Sequence, residues 1–306
     1  MKIYLSKINE SWVVDRMRSE WYEYNGSISS KLIWNSDIIW IISPWLWKKE
    51  NKYLLNKKIV VCSIYHFEEK DFLDPYISDF KERDFYVDYY HVISKKTFEQ
   101  LSQITNKPIF YAPIWMNNNN FFQIEDKENL RKKYKISDNS FLIGSFQRDT
   151  EGNDLKSPKM IKGPDQFLKI VEYYNSKKQN LVIVLTGKRR QYVINGLNKL
   201  DIKFIYFEMA KVEELNELYN ILDLYVVSSR IEGGPQAIPE CGVTKTPIIS
   251  TDVGIANEIL SSKSVFNMSN FKSAEPDTEF AYKNALKLCI PQGFDSYIKF
   301  FKSIKS

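Results

Sequence analysis

Short apolar runs recur along the chain and alternate with segments in which apolar residues have helical spacing. In the first half, residues 2–6, 37–42 and 58–65 are rich in Ile, Val and aromatic side chains, which is typical of strands buried on both faces. Residues 12–22 have helical apolar spacing, and residues 9–11 before them supply candidate N-caps. This alternation predicts a parallel sheet covered by helices.

The second half repeats the pattern. Its predicted strands are residues 141–144, 181–187, 204–207 and 222–227, and its predicted helices include residues 127–134 and 213–222. At 306 residues the chain is too long for one typical core, so we predict two α/β domains.

The segment at residues 228–242 carries the strongest chemical signal in the sequence. It follows the predicted strand 222–227 and contains Gly233 and Gly234, which permit backbone conformations and close approaches that a Cβ forbids. Pro235 presets the backbone for a helix start. A strand, a glycine turn and a helix N-terminus together present free amides and the positive end of a dipole, which predicts an anion site.

Two carboxylates flank this turn. Glu232 precedes the predicted helix and Glu240 lies inside it, with seven residues between them. Carboxylates are poor phosphate ligands, but they accept hydrogen bonds from sugar or ribose hydroxyls. The pair therefore favours a ligand that carries both phosphate and hydroxyl groups. The alternative explanation is a helix N-terminus with an incidental capping glutamate.

This segment resembles the signature of retaining glycosyltransferases of the GT-B fold, in particular the family 4 type. Their Glu-x7-Glu element stands just ahead of a Gly-Val-x-x-x-Pro-Ile-Ile-x-x-Asp-x-Gly run, found here at residues 242–254. The likeness covers most of residues 140–260. It implies an α/β chain with two doubly wound, Rossmann-like domains facing across a cleft.

The resemblance also places the domain boundaries. Four asparagines at 117–120 favour a turn, and a comparable segment of the family leads from one domain to the other. We predict an N-terminal acceptor-side domain at 1–120 and a C-terminal nucleotide-sugar-binding domain at 121–290. The amphipathic, basic segment 291–306 is then the helix that crosses back to the first domain.

Two cations match the phosphate-binding pair of the family in type and context. Arg148 follows the first strand of the second domain, and Lys162 stands in the Lys-Gly element that opens the next helix. The intervening loop is longer than in the commonest members, so Lys156 and Lys159 compete with Arg148 for this assignment. A surface lysine is the alternative for Lys162, but a helix dipole disfavours a cation there unless an anion offsets it.

The remaining site residues follow from the same resemblance. Glu232 would hold hydroxyls of the transferred sugar, and Glu240 would accept hydrogen bonds from the ribose. The other donor-binding residues that it implies are Gly144, Gly187, Glu208, Gly233, Gly234 and Pro235. The basic residues 188–190 either border the diphosphate or form a solvated turn.

Two histidines occur in the sequence. His66 follows the predicted strand 58–65, and ligand-contacting groups project from the carboxyl ends of strands in open parallel sheets. The resemblance places a catalytic histidine near the reacting sugar from this part of the first domain, whereas a capping histidine is the alternative. His91 lies inside a short apolar run, and we interpret it as structural.

The composition of the chain bears on which classes of partner and which compartment are expected. The formal net charge of +5 is modest for this length, and basic residues are interleaved with acidic ones, so nucleic acid is not expected. Three scattered cysteines fit a reducing compartment, and the N-terminus becomes polar too soon for a signal peptide. We expect a cytoplasmic protein, with contact of the basic tail to a membrane as the second interpretation.

The sequence thus predicts a retaining enzyme that transfers a sugar from a nucleotide-diphosphate sugar to a glycan or a lipid-linked saccharide. No Asp-x-Asp element occurs, and with two cations for the diphosphate no metal cofactor is expected. The alternatives are another nucleotide-sugar-binding GT-B protein, either epimerase-like or non-catalytic. An epimerase usually needs more acid and base residues than two histidines supply.

Overall fold

The computed structural model describes residues 1–7, 13–152 and 154–305. The candidate N-caps at residues 9–11 lie outside these described residues. The chain divides into two compact units, Met1–Ile114 with Phe294–Ser306, and Trp115–Gly293. The chain divides after Ile114 and Gly293. The boundaries predicted from the sequence were after residues 120 and 290.

In the described part of the chain, strands and helices alternate along both units. The strands are β1 (Ile3–Leu5), β2 (Ile38–Ile41), β3 (Ile59–Ile64), β4 (Tyr89–Val92), β5 (Ile109–Tyr111), β6 (Phe141–Ser145), β7 (Leu181–Thr186), β8 (Phe204–Phe207), β9 (Leu224–Val227), β10 (Ile248–Thr251) and β11 (Val265–Phe266). The α-helices are α1 (Val13–Tyr24), α2 (Lys52–Leu55), α3 (Tyr76–Asp84), α4 (Lys95–Leu101), α5 (Lys127–Lys133), α6 (Pro164–Asn175), α7 (Gln191–Lys199), α8 (Val212–Ile221), α9 (Ala237–Thr244), α10 (Ala256–Ile259), α11 (Thr278–Ala285) and α12 (Asp295–Lys305).

The first unit is built on a parallel sheet whose described strands follow chain order, β1-β2-β3-β4-β5. The strand register puts Trp40 of β2 and Tyr90 of β4 on opposite faces. Trp40 packs against Trp21 of α1 and Phe301 of α12, with ring centroids 5.2 and 5.1 Å away. Tyr90 stacks on Phe80 of α3 at 5.7 Å. Helices therefore cover both faces of this sheet.

His91 is buried in β4, as the sequence interpretation expected of a structural histidine. Its Nδ1 lies 2.8 Å from the Ser63 hydroxyl and its Nε2 lies 2.9 Å from the Ala112 carbonyl. Tyr297 of α12 brings its hydroxyl to 3.2 Å from Nε2. Burial lowers the pKa of His91 to about 4, so the neutral ring joins β3, the end of β5 and α12 near neutral pH.

The second unit contains a parallel sheet whose described strands have the order β11-β10-β9-β6-β7-β8. The chain enters at β6, adds β7 and β8 on one side, and then returns to add β9, β10 and β11 on the other. The strand order reverses between β6 and β9, as in a doubly wound sheet. In open α/β sheets, ligands bind outside the carboxyl ends of the strands at such a switch point.

Apolar side chains on both faces of β6 explain why this strand lies in the middle of the sheet. Leu142 packs in one core with Leu218 of α8, and its neighbour Ile143 packs in a second core with Phe167 of α6. Successive residues of a strand point to opposite faces of the sheet. When both sets are apolar, the strand is buried only if helices cover both faces. The central position of β6 fixes where the loop after it begins.

A buried ion pair joins the ends of β6 and β7. Arg190 is fully buried and donates from Nε to Oδ2 of Asp149 at 2.8 Å. Its Nη1 donates to the carbonyl of Thr186 at 2.8 Å and also to the carbonyl of Ser145, and its Nη2 lies 3.2 Å from the Ser145 hydroxyl. Arg190 is therefore an interior residue, unlike either role considered for residues 188–190 from the sequence.

We expect Arg190→Met to lower the free energy of unfolding by about 3–5 kcal/mol, because it leaves the Asp149 carboxylate buried without its cation. The exposed pair between Lys133 and Glu217 offers a control, and Lys133→Ala should cost about 0–1 kcal/mol. Urea unfolding followed by circular dichroism measures both. Equal shifts of the urea midpoint in the two variants would contradict a structural role for the buried pair.

Candidate active site

Two loops meet at the switch point of the second sheet. Gln147 and Arg148 follow β6, and Ser228 and Ser229 follow β9. The Ser229 hydroxyl lies 3.2 Å from Oε1 of Gln147 and 3.1 Å from Oε1 of Glu232. The carboxyl ends of two adjacent strands thus bring polar side chains together where the fold predicts a ligand site.

Lys162 and Glu232, both predicted site residues, form an ion pair at this point. The Lys162 side chain is 23% exposed and the Glu232 side chain 13%, so both remain reachable from solvent. Gln147 donates from Nε2 to the backbone carbonyl of Lys162 at 2.9 Å. The loop after β6 therefore supports the lysine, and the loop after β9 supplies its carboxylate.

The lysine is held in place by a close approach of two backbone segments. Gly163 has a left-handed backbone with φ 60°, and a Cβ there would overlap the carbonyl oxygen of Ser228. The Ser228 hydroxyl donates to the Gly163 carbonyl at 2.9 Å, and Gln166 donates to the Ser228 carbonyl at 2.7 Å. Only glycine allows this contact, which explains the Lys-Gly pair at the start of α6.

Arg148 lies close to a second lysine. Lys159 is partly buried, and its pKa is lowered first by that burial and then by the positive charges of Arg148 and Lys162. Glu151 and Glu232 partly counter this effect. The structure thus brings Arg148, Lys159 and Lys162 together. The sequence analysis treated Lys159 only as an alternative to Arg148.

The glycine turn packs against the loop after β10. Gly254 has φ 52°, and a Cβ there would overlap the carbonyl of Gly233 and approach the amide nitrogen of Gly234 to 2.9 Å. Thr251 at the end of β10 donates to the Ser229 carbonyl at 2.6 Å. Helix α9 begins at Ala237, two residues after the buried Pro235. The predicted sequence of strand, glycine turn and helix is therefore present.

Glu240 lies on α9 and is only 4% exposed. The Tyr219 hydroxyl donates to its Oε2 at 2.7 Å. Burial, with the Glu240 charge second, raises the pKa of the Tyr219 hydroxyl and of the Cys241 thiol well above their usual values. Tyr219 therefore stays protonated and fixes the orientation of the carboxylate.

The other predicted donor-binding residues of the second unit have different surroundings. Gly144 lies inside β6, where a Cβ would overlap the Leu222 side chain, so its lack of a side chain has a packing reason. Gly187 follows β7 with φ 91°, and its N–H donates to the Phe207 carbonyl at 3.2 Å. Glu208 is exposed just after β8. The structure places Gly187 and Glu208 at the carboxyl edge of the sheet.

His66, the catalytic candidate of the first unit, is exposed two residues after the end of β3. It therefore stands at the carboxyl edge of the first sheet, as the sequence predicted for its strand.

No group of three or more His, Cys, Asp or Glu side chains in residues 1–7, 13–152 and 154–305 is arranged to hold a metal ion. Over the same residues, no helix has the length and apolar character required to cross a bilayer.

Comparison with known proteins agrees with this geometry. Residues 126–275 match the model of the family described as Glycosyl transferases group 1, a span that includes every site residue of the second unit. No curated protein sequence matches the chain at a significant level.

Solved structures match over nearly the whole chain at low sequence identity. The Anabaena protein HepE, crystallised with UDP and glucose, aligns with a TM-score of 0.77 at 10% identity, covering 99% of this chain and 100% of HepE. Sucrose-phosphate synthase from Thermosynechococcus elongatus aligns at 0.68 and 11% identity, covering 98% and 80% of the two chains. The lipopolysaccharide outer core galactosyltransferase WaaB aligns at 0.67 and 11%, covering 99% of each.

These likenesses confirm the predicted α/β fold, with its two parallel sheets covered by helices. The chain has the GT-B fold, and the family match over residues 126–275 indicates a glycosyltransferase enzyme.

Proposed function

We propose that this protein is a retaining, metal-independent glycosyltransferase of the family 4 type. It moves a sugar from a nucleotide-diphosphate sugar to a glycan or a lipid-linked saccharide. The observation that carries the proposal is the ion pair of Lys162 with Glu232 at the switch point of the second sheet. Arg148, on the loop after β6, lies close enough for its charge to act on Lys159 together with that of Lys162. The crystal structure of HepE with UDP-glucose, which shares the fold, supports a nucleotide sugar as the donor.

In this proposal the cations act on the leaving group. As the bond between the sugar and the diphosphate breaks, negative charge builds on the diphosphate oxygens. Arg148 and Lys162 stabilise that charge, and the backbone contacts that hold Lys162 are in place before the ligand arrives. Preorganised charges of this kind avoid reorganisation during the reaction and commonly make the largest single contribution to catalysis.

The carboxylates act on hydroxyl groups. Glu232 is next to Lys162 and partly exposed, so it is placed to accept hydrogen bonds from the transferred sugar beside the diphosphate. Glu240, oriented by Tyr219, accepts from the ribose. The backbone amides of Gly233 and Gly234 and the N-terminus of α9 face phosphate or sugar oxygens. His66 stays a catalytic candidate from the first unit.

Metal independence follows from the same charges, because two side-chain cations supply what a divalent ion supplies in other transferases. Retention of configuration rests on the resemblance of residues 228–254 to the family signature. The acceptor class, a cytoplasmic location and membrane contact stay predictions from the sequence.

A donor panel tests the function. The protein is incubated with UDP-, GDP-, ADP- and dTDP-sugars, with and without EDTA, and with saccharide acceptors supplied. We expect release of one nucleoside diphosphate, no loss of rate in EDTA, and a product with the donor's anomeric configuration by proton NMR. Donor binding without turnover would favour a non-catalytic protein, and conversion of the sugar without release would favour an epimerase.

We expect Arg148→Ala and Lys162→Ala each to lower kcat by at least about 100-fold, because each removes one charge that stabilises the leaving diphosphate. Lys156→Ala removes an exposed lysine of the same loop and should leave kcat within about twofold of the parent. Initial rates with the donor identified by the panel measure all three variants. Unchanged rates in both site variants would end the assignment of the diphosphate cations.

We expect Glu240→Gln to weaken nucleoside diphosphate binding by roughly 10-fold, because hydrogen bonds to a charged group contribute about 1.5–3 kcal/mol. Tyr219→Phe should weaken binding less, since the carboxylate remains but loses its fixed orientation. Calorimetric titration with the free diphosphate measures both, and Glu279→Gln on the exposed face of α11 is the matched control. Affinity losses no larger than that of the control would remove Glu240 from the nucleotide site.

A further inference from the structure

The long loop between β6 and α6 folds back on itself. Two stretches of the loop pair through an antiparallel bridge between Thr150 and Pro158. The amide of Glu151 donates to the Ser157 carbonyl at 2.9 Å, and the amide of Lys159 donates to the Asp149 carbonyl at 2.8 Å. This pairing brings Lys159 next to the chain segment that carries Arg148, although eleven positions separate them in sequence.

Lys159 is also hydrogen-bonded through its backbone to Lys162, the other cation of the site. The amide of Lys162 donates to the Lys159 carbonyl at 2.9 Å, in the short helical turn that precedes α6. Asp149, which accepts the Lys159 amide, is itself fixed by the buried Arg190. Lys159 therefore has a defined backbone position between Arg148 and Lys162.

Positive charges around Lys159 outnumber the carboxylates that pair with them. Lys162 is paired with Glu232, but within the described residues neither Arg148 nor Lys159 forms an ion pair. Burial and the two neighbouring cations lower the pKa of Lys159, so its charged form is less stable there than that of a lysine in solvent. Partly buried cations without counterions are costly, and a bound anion that enters between them removes the cost.

We infer that Lys159 is a third phosphate-binding residue of the donor site and that it favours a diphosphate over a monophosphate. The inference rests on the proposed function, since it concerns the same diphosphate. A nucleoside diphosphate carries a second phosphoryl group and more negative charge than the monophosphate. Three cations around one site match that extra charge better than two do.

The test compares diphosphate with monophosphate binding. UDP, GDP, ADP and dTDP are first screened against the parent protein by thermal shift. The tightest binder and its monophosphate are then titrated by calorimetry into the parent, Lys159→Gln, Lys159→Arg and Lys156→Gln. Lys156, the other sequence competitor of Arg148, belongs to the same loop but is exposed, and it is not among the charges that shift the pKa of Lys159. Its variant therefore makes the same charge change outside the group of cations around Lys159.

We expect Lys159→Gln to weaken diphosphate binding by roughly 10-fold to 100-fold, the effect of one lost charge-assisted contact, and to weaken monophosphate binding much less. Lys159→Arg, which keeps the charge, should preserve most of the preference for diphosphate. Lys156→Gln should match the parent with both ligands.

Other outcomes overturn the inference. Equal losses in Lys159→Gln and Lys156→Gln would show a general effect of net charge. If Lys159→Gln lost equal affinity for the diphosphate and the monophosphate, Lys159 would not recognise the second phosphoryl group. If Lys159→Gln binds like the parent while Arg148→Gln and Lys162→Gln lose affinity, the inference fails and the proposed function stands. If the parent binds none of the four diphosphates, both fail.

Discussion

The site of this protein depends on the buried ion pair between Arg190 and Asp149. A guanidinium with no exposed surface is stable only when its donors find acceptors, and Arg190 finds them on the carboxylate of Asp149 and on the ends of β6 and β7. Asp149 in turn accepts the amide of Lys159 through its backbone. One interior arginine thus fixes the start and the end of the loop that brings the cations together.

A second constraint is the strand order of the second sheet. Because β6 lies between β7 and β9, the loops that leave β6 and β9 emerge side by side and are free to diverge to opposite faces. The gap between them is closed by backbone contacts instead of long side chains. Gly163 lies against Ser228, and Gly254 lies against the turn at Gly233. Glycines at these positions keep the segments close enough for their side chains to share one site.

Local patterns in the sequence were sufficient for most elements, because apolar periodicity reflects burial directly. The strand predicted at residues 204–207 is β8 with the same limits, and the helix predicted at 213–222 is α8 within one residue at each end. The order of strands within each sheet depends on non-local pairing, which a local pattern does not contain. The return of Lys159 to Arg148 was missed for the same reason, since backbone hydrogen bonds across a loop leave no signal in residue type.

Charged residues were the hardest to assign for a related reason. The run at residues 188–190 has the composition of a solvated turn, yet Arg190 is interior because acceptors from two strands surround it. Gly144 looked like a ligand contact, and the structure gives it a packing reason instead. In both cases the deciding partner, the end of a neighbouring strand or the Leu222 side chain, is distant in sequence.

The pair between Lys162 and Glu232 links the electrostatics of the free protein to those of the proposed complex. Lys162 stands just before α6, where the positive end of the helix dipole disfavours a cation. The sequence alone suggested that a ligand anion must offset this, but in the free protein Glu232 does so. On the proposed function, a diphosphate that takes over Lys162 would release the Glu232 carboxylate at the moment when sugar hydroxyls arrive beside it. Before binding, the ion pair would hold the Lys162 ammonium and the Glu232 carboxylate in place. After binding, the ammonium would contact the phosphate and the carboxylate would contact the sugar. Recognition of the phosphate and recognition of the sugar would thus be coupled through this one ion pair.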